Sequence, residues 1–279
     1  MTTTAARSTT SMPAGSSTVR KATAEPSTAP RHIPLARLVR VELRKTFDTR
    51  SGLWLLASLG IAAVLTTGAI VAWAPKEQLA YSEFTLAIGV PMTILLPIIA
   101  VLSVTSEWSQ RSGLATFTLV PHRGRVLLAK AIAVVSVTVP ATLVAFGVGA
   151  VGNLAGTALA DVNAVWDQDL VDVGYFALGQ TLLLLVGFVL GALIRNSSGA
   201  IVAYMIYGFV APGLLAFLAF NQDWFADARP WLDPKYNQDA LLRGDIAGDQ
   251  WSQLAVTTVV WLVVPMVAAV VNVLRSEVK

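Results

Sequence analysis

The chain has 279 residues, of which 55% are hydrophobic and 13% charged, with 20 Lys+Arg against 17 Asp+Glu. A soluble domain carries about a quarter charged residues, so this apolar surplus belongs in lipid rather than in a water-soluble core. There is no cysteine, which excludes disulfides, thiolate metal sites and cysteine nucleophiles.

Residues 1–32 are rich in Thr, Ser, Ala and Pro and contain no apolar h-region. They read as a disordered cytoplasmic tail and not as a secretory signal, although an organelle transit peptide has the same basic, acid-poor composition. Residues 33–50 then form an amphipathic helix. Leu35, Leu38, Val39, Leu43 and Phe47 share one face, and Arg37, Arg40, Arg44 and Asp48 share the other. Just before a first span, such a helix lies in the inner interface with its arginines toward lipid phosphates. Glu42 falls in the apolar arc, where a carboxylate is costly unless a cation meets it. Two readings stand together: a membrane-lying anchor whose Glu42 snorkels out, and a docking surface for a protein.

Apolar runs near Leu53–Trp73, Leu86–Thr105, Ala131–Leu154, Gly174–Ile194, Gly199–Phe220 and Trp251–Leu274 each approach the length of about 20 residues that crosses a bilayer. In lipid such runs can satisfy their own backbone only as helices. The expected fold is therefore all-α, with six transmembrane helices over residues 33–279. The segments 1–52, 106–130, Arg195 and 275–279 hold sixteen of the 20 basic residues, while the alternate loops hold twelve of the 17 acids. That asymmetry places the N- and C-termini in the cytoplasm.

No Asp, Glu, Lys, Arg or His sits in the middle of a span, whereas self-energised pumps and carriers keep such a residue on their pathway. Gln180, Asn153, Asn272, Tyr204 and Tyr207 read as interhelical contacts. Neither a G-x-x-x-x-G-K-[ST] phosphate cradle nor H-E-x-x-H occurs, so no catalytic residue, metal ligand or enzyme activity is assigned to this chain. The acidic stretch Asp161–Asp172 lacks the glycine and closing glutamate of a calcium loop. Pro91, Pro97, Pro140, Pro212 and Pro265 are expected to kink their spans. Gly187-x-x-x-Gly191 and Gly152-x-x-x-Gly156 are expected to pack neighbouring helices closely.

The second cytoplasmic loop, residues 106–130, is compact and mostly basic. Glu107 and Arg111 have i,i+4 spacing, Leu114, Phe117 and Leu119 form a short apolar ridge, and Pro121 stops the helix before His122, Arg123 and Arg125. An apolar ridge rimmed by charge suits a protein interface. The same residues would equally suit a segment dipping into the inner leaflet with its basic side chains on phosphates.

With these motifs in place, the chain resembles the membrane subunits of ABC-2-type ATP-binding-cassette transporters over about residues 33–279. The resemblance rests on Glu42, Lys45 and Trp54 in and after the amphipathic helix. It rests also on Glu107, Gly113, Leu114, Thr116, Pro121, Arg123 and Lys130 around the second loop, with Leu-Ala-Thr where the family often has Thr directly after Gly. It implies that residues 106–130 couple to a separate ATPase through Glu107, Arg111, Gly113, Leu114, Thr116, Phe117, Pro121 and Arg123. It also implies a second contact through Glu42, Arg44 and Lys45. ATP and Mg would be bound only by that partner and no cofactor by this chain. The other implied partners are a second permease subunit, identical or different, membrane lipid and an unidentified amphiphilic substrate, and not nucleic acid. The setting implied is the plasma membrane, the inner one in a bacterium. The outer loop 221–250 would form short re-entrant helices, or lie as an interfacial loop with Trp224, Phe225 and Trp231 at the headgroups. The function implied is an exporter permease. A membrane-anchored assembly protein without transport activity is the alternative.

Overall fold

The computed structural model describes residue 2 and residues 34–48, 50–109 and 123–275; the side chains at 51, 78, 107–109, 123 and 273–275 are outside that description. The chain divides into two units, Met1–His32 and Ile33–Lys279, and the helices belong to the second. That unit is all-α. Its helices are α1 (Leu35–Asp48), α2 (Arg50–Trp73), α3 (Tyr81–Ser109), α4 (Arg123–Ala160) and α5 (Leu170–Ile194). After these come α6 (Ser197–Met205), α7 (Ala211–Asn221), α8 (Asp223–Leu232), α9 (Pro234–Arg243), α10 (Gln250–Thr258) and α11 (Val264–Arg275). One isolated bridge, Ala80 to Val165, is the β-type pairing seen among the described residues.

Six helices among the described residues are long and apolar enough to cross a membrane: Gly52–Trp73, Tyr81–Ser106, Gly124–Ala160, Leu170–Ile194, Ser197–Asn221 and Gln250–Asn272. The protein is thus a multi-pass membrane protein. The second, third and fourth spans form the middle of the bundle, with 50%, 44% and 56% of their most apolar stretches buried. The first, fifth and sixth are peripheral, at 11%, 11% and 22%. α4 has 38 residues, about 57 Å of helix at 1.5 Å per residue against a hydrocarbon layer of about 30 Å. Its ends therefore project beyond the membrane.

Small residues set the spacing at the centre. A Cβ on Gly187 would lie 2.6 Å from the Pro97 carbonyl oxygen, and one on Gly152 would lie 2.4 Å from Thr67 Cγ2. Both glycine motifs therefore serve packing within one chain, as their spacing suggests. The prolines behave in two ways. Pro91, Pro97 and Pro140 sit inside continuous helices. Pro212 and Pro265 each follow a π-turn, Ile206–Val210 and Val259–Val263. A proline ring clashes with the carbonyl four residues before it, and the wider π-turn moves that carbonyl away.

The acidic segment 161–172 is consumed in local structure. Asp167 accepts from Ser82 N at 2.9 Å and from Ser82 Oγ at 2.5 Å. Asp169 and Asp172 form a capping box at the start of α5. Asn153 Nδ2 donates to Val165 O at 2.9 Å, fixing this segment to the third span. Asn272, expected as a contact between helices, is instead exposed.

Candidate functional site

Two polar sites stand at opposite ends of the bundle. The first joins α1 to the central spans. α1 turns Leu35, Leu38, Val39, Leu43 and Thr46 partly inward and leaves Arg37, Arg40 and Arg44 exposed. Phe47 shares the apolar arc but is 47% exposed. Within this arc Glu42 is buried. Its Oε2 accepts from Lys130 Nζ at 2.5 Å, and its Oε1 accepts from Lys45 Nζ at 2.7 Å. Lys130 is only 3% exposed and also donates to the Ser103 carbonyl of α3 at 3.3 Å. One ammonium therefore ties together α1, α3 and the start of α4.

Glu42 does not snorkel: the cation that meets it comes from within the chain. Burial alone would raise the Glu42 carboxyl; the Lys130 ammonium, with Lys45 beside it, outweighs burial and holds the carboxyl below its ordinary value. Lys45 completes the pair from a half-exposed position. Arg44 points away and pairs with Asp48 at 3.4 Å across largely exposed side chains, a contact worth roughly 0–1 kcal/mol. At the same end, Thr105 Oγ1 and Ser197 Oγ lie 2.7 Å apart and link the second span to the fifth.

The expected coupling loop departs from this junction. α3 carries the chain to Ser109 and α4 resumes at Arg123. Glu107 and Arg123 lie on those helices, but their side chains are outside the described residues, and Arg111, Gly113, Leu114, Thr116, Phe117 and Pro121 lie wholly outside them.

The second site is a cavity of about 550 Å³ at the far end, within the range of about 300–1,000 Å³ usual for small-molecule sites. Its walls come from the first, second, fourth and fifth spans and from α9. Residues 223–243 supply that last wall by folding as a helical hairpin set into the bundle. α9 lies against Gly179, where a Cβ would meet Leu242 at 2.7 Å. Gly179 is nine residues into α5, about 14 Å from its start. Asp233, 1% exposed, anchors the hairpin by accepting from Arg229 Nε at 3.1 Å and from Lys235 N at 3.0 Å. Asn237 Nδ2 donates to Pro230 O at 2.7 Å, and Trp261 Nε1 of the sixth span donates to Leu232 O at 2.9 Å. Phe225, expected at the membrane surface, is buried, while Trp224 and Trp231 remain exposed.

The cavity changes character with depth. At its inner end Gln180 is fully buried, and its Nε2 donates to Gly89 O at 3.3 Å. Gly89 O can only accept, so the amide must turn its Oε1 the other way, where it has no partner. Tyr204 OH is engaged with Thr93 O at 2.5 Å. At the outer end α9 turns Lys235, Asp239 and Arg243, at i, i+4 and i+8, toward the cavity, facing Glu83 of the second span. The same three residues also border a shallower depression of about 340 Å³. Lys235 and Asp239 pair with each other. Among the described residues, the Glu83 carboxylate and the Arg243 guanidinium have no ion-pair partner.

This cavity was not legible in the sequence. Gln180 stood out as a polar interruption in an apolar span, but its grouping with Glu83 and Arg243 around one cavity depends on how five elements meet.

Compared with known proteins, the chain matches no family model and no curated protein sequence. Fold and sites together describe a six-span membrane protein of a form consistent with transport.

Proposed function

We propose that this chain is the permease subunit of an ABC-2-type exporter in the plasma membrane, acting as a dimer driven by separate ATPase subunits. The observation that carries the reading is the Lys130 junction. A coupling element between residues 109 and 123 would push on the ends of α3 and α4, and Lys130 holds both of those helices and α1 together. Force on the loop would therefore move three helices as a unit rather than bend one connector. The spans contain no Asp, Glu, Lys, Arg or His at mid-depth, which accords with an energy source outside the chain. At the opposite end, the cavity roofed by α9 offers a place for cargo. Since Glu42 is already paired inside the chain, the second contact to an ATPase would use the exposed Arg37, Arg40 and Arg44.

The test is purification of the tagged protein from its native membrane with whatever accompanies it. A stoichiometric ATP-binding-cassette ATPase, lost from the Leu114→Asp/Phe117→Asp variant while the protein stays folded, is the expected result. An intact protein without an ATPase partner would overturn the reading in favour of an anchor or assembly role.

A further inference from the structure

The cavity at the α9 end is built for a particular kind of ligand, and we infer that it binds a zwitterionic amphiphile. The ligand's apolar body would lie between the second, fourth and fifth spans. A hydroxyl or amide N–H would donate to Gln180 Oε1, and its two head charges would meet Glu83 and Arg243.

Three independent features fix this chemistry. Gln180 Oε1 is a buried acceptor without a partner, and such a group bears its full desolvation cost until a donor meets it. Gln180 borders the cavity, so a small rotation of its side chain would present this acceptor to a ligand donor. Next, the hydroxyls around it have already committed their protons: Tyr204 OH donates to Thr93 O, and Thr93 Oγ1 donates to Val90 O at 2.7 Å. Recognition at the inner end thus falls to acceptors, which select a donor group on an otherwise apolar body. Finally, the rim holds two charges of each sign, but Lys235 and Asp239 neutralise each other. Glu83 and Arg243 are left, one negative and one positive, which complements a head carrying both charges and disfavours one carrying a net charge. Ile70 and Ala74 of the first span and Gly208 and Phe209 of the fifth also border the cavity. These peripheral spans face lipid, so an amphiphile could reach the cavity from the bilayer.

This assignment deepens the transport reading by naming its class of cargo, and only the word cargo rests on that reading. Binding is measured on the purified full-length chain without any ATPase. The probe is a fluorescent single-chain phosphocholine amphiphile, compared with anionic and trimethylammonium amphiphiles of equal chain length, in nanodiscs. The zwitterion is expected to bind saturably and at least tenfold more tightly than either singly charged probe. Glu83→Gln and Arg243→Gln, at exposed side chains without ion pairs, should each weaken it about tenfold, as for loss of one charge-assisted contact. Gln180→Leu should weaken it comparably while leaving the preference among head groups unchanged. Discs of phosphatidylcholine and of phosphatidylglycerol separate the sources. Weaker probe binding in phosphatidylcholine identifies a bilayer lipid as the competing ligand, and equal binding identifies a soluble amphiphile. Equal affinity for all three probes, or binding untouched by Glu83→Gln and Arg243→Gln, overturns the assignment. If an ATPase nevertheless co-purifies, the transport reading survives that failure.

Discussion

At the scale of single residues, the Glu42–Lys130 pair shows how a costly group becomes a structural one. Two charges taken out of water lose solvation, and their mutual attraction at 2.5 Å offsets that loss only while both are present. Glu42→Gln alone leaves a buried ammonium, and Lys130→Met alone leaves the carboxylate with only the half-exposed Lys45 beside it. Each is expected to destabilise the folded protein by about 3–5 kcal/mol, whereas the double variant Glu42→Gln/Lys130→Met should recover most of that loss. Thermal unfolding of the four proteins in one detergent completes the cycle; additive losses would show that the two residues act separately. The pH dependence has a definite sign. The Glu42 carboxyl is held below its ordinary value of 4.5 in the folded protein, so its contribution is complete above that pH and disappears as the pH falls through the lowered value. Stability should therefore be flat in this respect from pH 7 to 5 and drop in more acidic solution, and Glu42→Gln should flatten the drop.

At the scale of elements, close helix contacts mark the middle of the bundle and π-turns its edges. Gly187 brings α5 against the Pro97 carbonyl, so any side chain there must push α3 away. Gly187→Val should cost about 1–3 kcal/mol by overpacking, read as a lower unfolding temperature in detergent. The peripheral fifth and sixth spans carry the two π-turns, and both border the α8–α9 hairpin through Tyr207–Gln238 and Trp261–Leu232. Pro265→Ala restores a backbone donor and removes the ring clash, so Val259–Val263 should regain α-helical bonding. Slower amide exchange across that turn would show the change; unchanged exchange would mean that neighbouring side chains, not the proline, impose the wider turn.

Legibility in the sequence divides along the same line between element and contact. The six spans were visible because lipid permits almost no other backbone solution, and their observed limits lie within a few residues of the apolar runs, except where α3 and α4 extend further. Glu42 was visible as a misplaced charge. Its partner, 88 residues away, was not, because no local pattern encodes where α1 meets α4. The burial of Phe225 and the charged stripe of α9 were hidden for a related reason. An aromatic, acid-rich loop has the same composition whether it lies on the membrane or folds into the bundle.

At the scale of the whole molecule, the first, fifth and sixth spans present large apolar faces, with Leu65, Phe217 and Val264 at 67%, 68% and 59% exposure. Lipid tails cover such faces as well as another helix does, so hydrophobicity alone drives no association there; close-packed surfaces must supply it. The first span offers one, since Gly60 and Gly68 meet nothing within 4 Å and leave shallow places for another backbone. A dimeric permease should use at least one of these faces. The absence of cysteine makes the question directly measurable, because each introduced thiol is the only one in the chain. Leu65→Cys, Phe217→Cys and Val264→Cys, each oxidised in native membranes, should include at least one variant that forms a disulfide-linked pair of full-length chains. Neighbouring positions on the same face should then cross-link with helical periodicity. If none of the three pairs and the detergent-solubilised protein has the mass of one chain, every exposed face belongs to lipid. The cavity at the α9 end would then have to serve a single copy on its own.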